Sequence, residues 1–153
     1  MKANDEARMT NDQGIETDRV QESNEEAFWN AQPSVVREEP VIRVSDLEER
    51  TARFGEELIR FCKKIPHSPE NHRLIDQLVG CGTSIGANYC EANEGVSKKD
   101  FKYTIGRCVK EAKETKFFLR MIVASEPGLV EEARKLFREA KELHLIFASI
   151  YRK

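Results

Sequence analysis

Apolar residues recur every three or four positions from residue 46 to the last residue, which is the spacing of amphipathic helices. The pattern contains no alternating strand signal and no internal repeat. It predicts four helices, each with one inward-facing stripe. The predicted stripes are Leu47, Thr51, Phe54, Leu58, Phe61 or Cys62, and Ile65; Leu74, Ile75, Leu78, Cys81, Ile85, Asn88 and Tyr89; Phe101, Ile105, Cys108, Ala112, Thr115, Leu119 and Ile122; and Leu129, Ala133, Leu136, Ala140, Leu143, Phe147 and Ile150.

Helix boundaries are marked by capping serines and by proline or glycine. Serine followed by an acidic residue at the third position is a capping signature, and proline fits the first helical position. The start signals are Ser45-Asp46-Leu47-Glu48, Ser68-Pro69-Glu70 and Ser97-Lys98-Lys99-Asp100, and the stop signals are Pro66, Gly95 and Ser125 with Pro127-Gly128. Short loops between long helices place sequence neighbours antiparallel. The sequence therefore predicts an all-α protein, an antiparallel up-down-up-down four-helix bundle.

The two parts of the chain differ in charge and in apolar content. Residues 1–45 carry 5 basic and 10 acidic side chains, and residues 46–153 carry 20 and 17. Apolar residues are too sparse in the first part to bury a face, so we expect a disordered acidic tail over 1–45 and a bundle domain over 46–153. Neither a secretory signal nor a run of about 18 apolar residues is visible. The expectation is a cytoplasmic protein without a membrane partner.

Candidate metal and catalytic groups do not form a recognisable set. Cys62, Cys81, Cys90 and Cys108 are scattered at helical positions, which predicts buried free thiols in a reducing compartment. His67, His72 and His144 do not supply zinc-ligand spacing, and the first two are interpreted as surface or capping residues. No nucleophile–base set or phosphate loop is present. We therefore expect no enzyme activity, no cofactor, no metal and no small-molecule substrate.

Small and polar residues are concentrated in the second predicted helix. Gly82, Gly86 and Ala87 suggest close approach of a neighbouring backbone, because glycine costs about 1 kcal/mol against alanine inside a helix. Ser84, Asn88 and Glu91 follow at i, i+4 and i+7 on one side. A buried polar layer is the favoured interpretation. A ligand or catalytic site built around Asn88, Glu91 and Glu111 is the alternative.

The third predicted helix carries two further surface features. Its cations fall within an arc of about 120° at 100° per residue and could follow a row of phosphates; they are Lys98, Lys99, Lys102, Lys110, Lys113, Lys116 and Arg120. A solvated face paired with neighbouring glutamates is the alternative. Tyr103, Phe117 and Met121 share a side away from the inner stripe. They predict a homo-oligomer interface, with scattered exposed hydrophobic residues as the alternative.

Three motifs resemble a known family. They are Thr83-Ser-Ile-Gly-Ala-Asn-Tyr-Cys-Glu-Ala92, Ser97-Lys-Lys-Asp-Phe101 and Lys110-Glu-Ala-Lys-Glu-Thr115. Over about residues 50–152 the chain resembles the bacterial four helix bundle protein family, which includes the S23-like proteins encoded in intervening sequences of 23S ribosomal RNA genes. The resemblance implies an antiparallel bundle without enzyme activity. It marks Ser84, Asn88, Glu91 and Glu111 as family-signature positions.

The same resemblance bears on partners. Similar accessory proteins of diversity-generating retroelements form ring-like homopentamers and bind nucleic acid and a reverse transcriptase through a basic surface, so the resemblance implies a pentamer. Taken together, the sequence predicts a non-enzymatic oligomeric bundle that associates with RNA or DNA through the basic face of the third helix. The alternative is a structural or protein-interaction adaptor that binds no nucleic acid.

Overall fold

Serine caps and prolines divide the chain into helices where the sequence predicts them. The computed structural model describes residues 23–33 and 47–153. Ser68 and Ser97 each accept a hydrogen bond from the backbone N–H three residues later, and Pro69 occupies the first turn. The four bundle helices are α1 Leu47–Cys62, α2 Pro69–Asn93, α3 Lys98–Ser125 and α4 Val130–Arg152, with a 3₁₀ turn at Pro127–Leu129. The described residues contain no strand.

Contacts between helices show that each neighbouring pair runs antiparallel. Between α1 and α2, Thr51 lies beside Gly86 while Leu58 lies beside Gly82. Between α2 and α3, Ile85 meets Cys108 and Cys81 meets Thr115. Between α1 and α4, Arg50 pairs with Glu139 and Lys64 pairs with Glu132. Between α3 and α4, Gly106 contacts Tyr151 near the start of one helix and the end of the other. The predicted all-α four-helix bundle is confirmed.

Most residues of the predicted inner stripes form the core. The half-buried exceptions are Leu47, Leu74, Ile75, Tyr89, Phe101, Leu129 and Ile150. The bulkiest fully buried apolar side chains come from all four helices and are Phe54, Leu58, Leu78, Ile85, Ile105, Leu119, Ile122, Leu143 and Phe147. Apolar burial at about 25 cal/mol per Å² is the dominant favourable term in folding. No helix in the described part of the chain is both long enough and apolar enough to cross a bilayer.

The tail contains one element that the sequence pattern does not predict. Residues 23–30 form a short helix within the segment expected to be disordered. The rings of Phe28 and Trp29 pack edge to face with centroids 5.3 Å apart. The rest of the predicted tail, and Ser45 of the first capping box, lie outside the described residues. The chain divides into two units, Met1–Val35 and Val36–Lys153.

Glycine in α2 brings α1 close, as predicted. A Cβ built on Gly82 would lie 2.5 Å from Cδ1 of Leu58, a separation that real Cβ atoms do not reach. Leu58 is fully buried, so a Cβ at Gly82 would force this core side chain to shift. A Cβ on Gly86 would lie 3.2 Å from the hydroxyl of Thr51. The lack of a Cβ at Gly82 and Gly86 therefore allows α1 and α2 to approach this closely.

We expect Gly82→Ala to destabilise the bundle by about 1 kcal/mol. Overpacking a core costs roughly 1–3 kcal/mol, and the better helix propensity of alanine offsets about 1 kcal/mol of that. Gly80→Ala is the matched control, because nothing lies within 4 Å of a Cβ at this exposed position of the same helix. It should stabilise by about 0.5–1 kcal/mol. Urea denaturation measures both; equal stabilisation by the two changes would contradict the close packing.

Candidate functional site

The predicted basic row of α3 is divided into an exposed part and a part that faces the protein. Lys98, Lys99 and Lys102 are exposed and form no ion pair within the described residues. Lys110 is exposed and lies 3.7 Å from a carboxylate oxygen of Glu114. Lys113 and Arg120 are half-buried, and Lys116 is only 3% exposed. The prediction of one continuous exposed row was wrong at Lys116.

Helical geometry explains the burial of Lys116. It follows Ala112 by four positions and precedes Leu119 by three, so it shares a side with two fully buried residues. The 3% exposure of Lys116 and the full burial of its two neighbours show that this side of α3 is covered by the protein. The buried stripe of α3 is wider than predicted. The exposed members of the predicted row are therefore Lys98, Lys99 and Lys102 in the first turns of α3 and Lys110 further along.

The last residues of α4 extend this exposed positive surface. Lys102 Nζ lies 5.4 Å from the centroid of the Tyr151 ring, a cation–π contact that joins the start of α3 to the end of α4. Arg152 and Lys153 follow directly and are exposed. We call this set the basic end: Lys98, Lys99, Lys102, Arg152 and Lys153. No ion pair engages any of the five among the residues described.

Sequence reasoning missed two members of the basic end. Arg152 and Lys153 lie about 50 residues from the α3 cations in the chain. An up-down-up-down topology places the end of the fourth helix beside the start of the third. The proximity of Arg152 and Lys153 to the α3 cations could therefore have been predicted from the fold. The acidic groups of the same region are partly engaged. Asp100 accepts a hydrogen bond from the Ser97 hydroxyl.

The predicted polar layer of α2 is buried at one of its three positions. Asn88 is 3% exposed, and its Nδ2 has no hydrogen-bond partner among the described residues. Ser84 is half-buried and donates to the Gly80 carbonyl at 2.7 Å. Glu91 is exposed and lies 3.4 Å from Arg107 of α3. The prediction that Glu91 belongs to a buried layer was wrong, because at 100° per residue it points about 120° away from the buried Ile85.

Glu111 lies at the edge of the seam between α2 and α3. Its side chain is half-buried, and burial followed by the nearby Glu114 carboxylate raises its pKa, while Lys110 and Arg107 act in the opposite direction. Glu91 is engaged with Arg107 instead of joining Asn88 and Glu111. The structure does not bring the three proposed catalytic groups together.

The thiols differ in accessibility. Cys62, Cys81 and Cys108 are buried, and burial raises their pKa to about 12, 11 and 12. Thiols with such pKa values are poor nucleophiles at neutral pH. Cys90 is exposed, so the prediction of a buried thiol was wrong there. It lies on the side of α2 opposite the fully buried Ile85.

The proposed interface aromatics lie on the surface of α3. Tyr103 and Phe117 are 71% and 54% exposed, and Met121 is half-buried. The Phe117 ring packs edge to face on Phe118, with centroids 5.2 Å apart. Phe118 and Leu74 of α2 also line an open groove of about 660 Å³. Phe118 and Leu74 thus give the groove between α2 and α3 an apolar lining beside the exposed Phe117 ring.

Two comparisons relate this chain to known proteins. The family model described as 23S rRNA-intervening sequence protein matches residues 45–149. A crystal structure of a protein with unknown function from the S23 ribosomal protein family of Bacteroides thetaiotaomicron VPI-5482 is similar, with a TM-score of 0.63 and 23% identity. The match covers 71% of this chain and 100% of that chain, and at this identity it shows the fold alone. None of the curated proteins matches.

Proposed function

The chain belongs to the 23S rRNA-intervening sequence protein family, and from this premise we propose that it is a non-enzymatic, self-associating bundle that binds RNA at its basic end. The observation that carries the proposal is the presence of five exposed cations without ion-pair partners on two adjoining helix ends. Elsewhere on the bundle, exposed cations are either paired with glutamates, as Arg53, Arg60 and Lys64 are, or come singly from different elements of the chain, as Lys63, Arg73 and Arg138 do.

Unpaired cations favour RNA binding on electrostatic grounds. Each lysine or arginine that neutralises a phosphate releases condensed counterions, whereas a cation already held by a carboxylate must first break that pair. Tyr103 and Tyr151 are both exposed near the basic end and offer faces on which unpaired bases could stack. A single-stranded or loop segment of RNA suits this combination of cations and aromatic rings better than a regular duplex.

Charge reversal at the basic end tests the proposal. We expect Lys98→Glu, Lys99→Glu and Lys102→Glu, introduced together, to weaken binding of a structured RNA at least tenfold at low salt. The slope of log affinity against log salt should also fall by about 2, at roughly 0.7 per phosphate contact on single strands. Gel shifts at about 50 and 200 mM salt measure both quantities.

The matched control reverses three exposed cations elsewhere on the bundle. Lys63→Glu, Arg73→Glu and Arg138→Glu change the net charge by the same amount. This control should leave most of the affinity intact. Equal loss in the two triple variants, or no RNA binding by the unmodified protein at low salt, would contradict a site at the basic end. Lys116 is not used, because reversing a buried charge would disturb the fold.

Self-association is the second part of the proposal, and the exposed aromatic groups of α3 support it. Phe117→Glu would place a charge in the centre of the proposed contact, so we expect it to convert the oligomer into a smaller species. Light scattering after size-exclusion chromatography gives the mass as a multiple of the 17.6 kDa chain, with a pentamer expected from the family resemblance. Leu145→Glu, at an exposed apolar residue of α4, is the control. An unchanged mass for the Phe117 variant would exclude this surface.

A protein-interaction adaptor without RNA binding is the second candidate function. The burial of Lys116 and the inward position of Lys113 and Arg120 favour it, since they shorten the positive surface that RNA could contact. This candidate predicts that the unmodified protein shows no RNA binding in the gel shift, so that charge reversal at the basic end changes neither the gel shift nor the oligomeric mass. The gel shift and the mass measurement therefore distinguish the two candidates.

A further inference from the structure

Two histidines meet at the end of the bundle opposite the basic end. Nδ1 of His67 and Nε2 of His72 are 2.9 Å apart, and both side chains are exposed. The ring centroids are separated by 5.1 Å, with the planes inclined at 73°. The facing atoms are therefore two ring nitrogens joined by one hydrogen bond, in which one nitrogen donates its hydrogen and the other accepts it with its lone pair.

The fold brings these residues together although their spacing does not suggest it. Residues five apart on one helix point about 140° apart. His67 precedes the helix, however, and the extended backbone of Ser68, with φ −149° and ψ 163°, turns it back over the first turn of α2. His72 is held in that turn by its own N–H, which donates to the Ser68 carbonyl at 2.9 Å. One ring is thus anchored on a helix and the other on the adjoining loop.

We propose that His67 and His72 chelate a divalent transition metal of the nickel or copper type. Two nitrogens bound at about 2.05 Å and at right angles to each other are about 2.9 Å apart, whereas a tetrahedral angle would separate them by about 3.3 Å. The hydrogen bond already holds the two nitrogens 2.9 Å apart, so rotation of the two exposed rings toward one point would give the right-angled arrangement of Ni²⁺ or Cu²⁺ without moving the backbone. Zinc sites with structural roles use tetrahedral geometry and more protein ligands.

The proton balance of binding is simple. The hydrogen bond between the two rings requires one of the facing nitrogens to carry a hydrogen, and a metal needs both nitrogens to be bare. Binding therefore shifts that hydrogen to the far nitrogen of the same neutral ring, with no net proton released. No group of three or more histidine, cysteine or acidic ligands exists among the described residues, so water completes the coordination.

Calorimetric titration with Ni²⁺ tests this assignment. The full-length protein should bind one equivalent, and His67→Gln or His72→Gln should each weaken binding at least tenfold because a single imidazole loses the chelate. His144→Gln and Cys90→Ser should leave the affinity within about twofold, since neither residue belongs to the pair. Mg²⁺ should not bind, because it prefers oxygen ligands.

Electron paramagnetic resonance of the Cu²⁺-loaded protein gives a readout that needs no variant. Two nitrogen ligands in the copper spectrum would support the site, and a spectrum with one or none would overturn it. Unchanged Ni²⁺ affinity in either glutamine variant would also overturn it, as would loss of binding in Cys90→Ser. Both histidines are exposed, so circular dichroism of the variants should match that of the original chain.

Discussion

Replacing Phe147 with alanine should lower the free energy of unfolding by about 4 kcal/mol, since large-to-small changes of a buried phenylalanine cost about 3–5 kcal/mol. Phe147 is fully buried on α4, and its ring lies 5.4 Å from that of Tyr89 on α2. The substitution removes both the apolar burial and the ring contact, and it leaves a cavity between two helices. Urea denaturation monitored by circular dichroism measures the change.

Leu145→Ala is the matched control for this prediction. Leu145 lies two residues away on the same helix and is 41% exposed, so its truncation should cost well under about 1 kcal/mol. The free energy of unfolding of domains this size is only about 5–15 kcal/mol, so the Phe147 variant should lose a large part of its stability and unfold at a clearly lower urea concentration. Similar losses in the two variants would mean that α4 presents a different face to the core.

Asn71→Ala should cost about 3 kcal/mol, the second largest effect that we expect, because it removes three hydrogen bonds of a fully buried side chain, each worth about 1 kcal/mol. Asn71 is fully buried at the start of α2. Its amide donates to the Pro66 carbonyl at 2.9 Å and to Glu126 at 2.7 Å, and its oxygen accepts from Ser125 at 2.7 Å. One side chain thus ties the loop before α2 to the end of α3. Thermal and urea unfolding both report the loss.

Two variants check the mechanism at Asn71. Asn93→Ala removes the same side chain from an exposed position at the other end of α2, and it should change stability by less than about 0.5 kcal/mol. Asn71→Asp keeps the size but replaces the donating amide with a carboxylate facing Glu126, so it should be at least as destabilising as alanine. A stable Asn71→Asp protein would contradict the assigned hydrogen bonds.

The fold was predictable because its determinants are local. Ser68 and Ser97 cap their helices by accepting hydrogen bonds from backbone N–H groups three residues later. The apolar residues of each inner stripe recur about once per helical turn. The structural role of Asn71 was not predicted, because its hydrogen-bond partner Glu126 lies 55 residues away in the sequence. Local patterns carry no information on which distant polar group will lie opposite a buried amide.

The candidate site was predictable only in part, for a geometric reason. The helical repeat predicts the direction in which a side chain points. It does not predict how much of that side of the helix is covered by neighbouring helices. Lys116 lies between Ala112 and Leu119 on the helix surface, and all three positions are buried. Glu91 lies seven residues after Ser84, where the slow drift of the helical repeat turns it further from the core. Whether a polar residue is buried is therefore predicted better by the burial of its neighbours at i±3 and i±4 than by its alignment with other polar residues.

The packing of each helix against its sequence neighbours bears on how the chain reaches its native state. Short separations between contacting residues give a low relative contact order, for which folding takes microseconds to milliseconds. Two pairings join helices that are not sequence neighbours: Phe147 of α4 contacts Tyr89 of α2, and α1 pairs with α4, where Arg50 and Glu139 close a loop of 89 residues. The hairpins α1–α2, α2–α3 and α3–α4 can each form before that loop closes. A stopped-flow trace should therefore show rapid collapse, and disrupting the α1–α4 seam should chiefly accelerate unfolding.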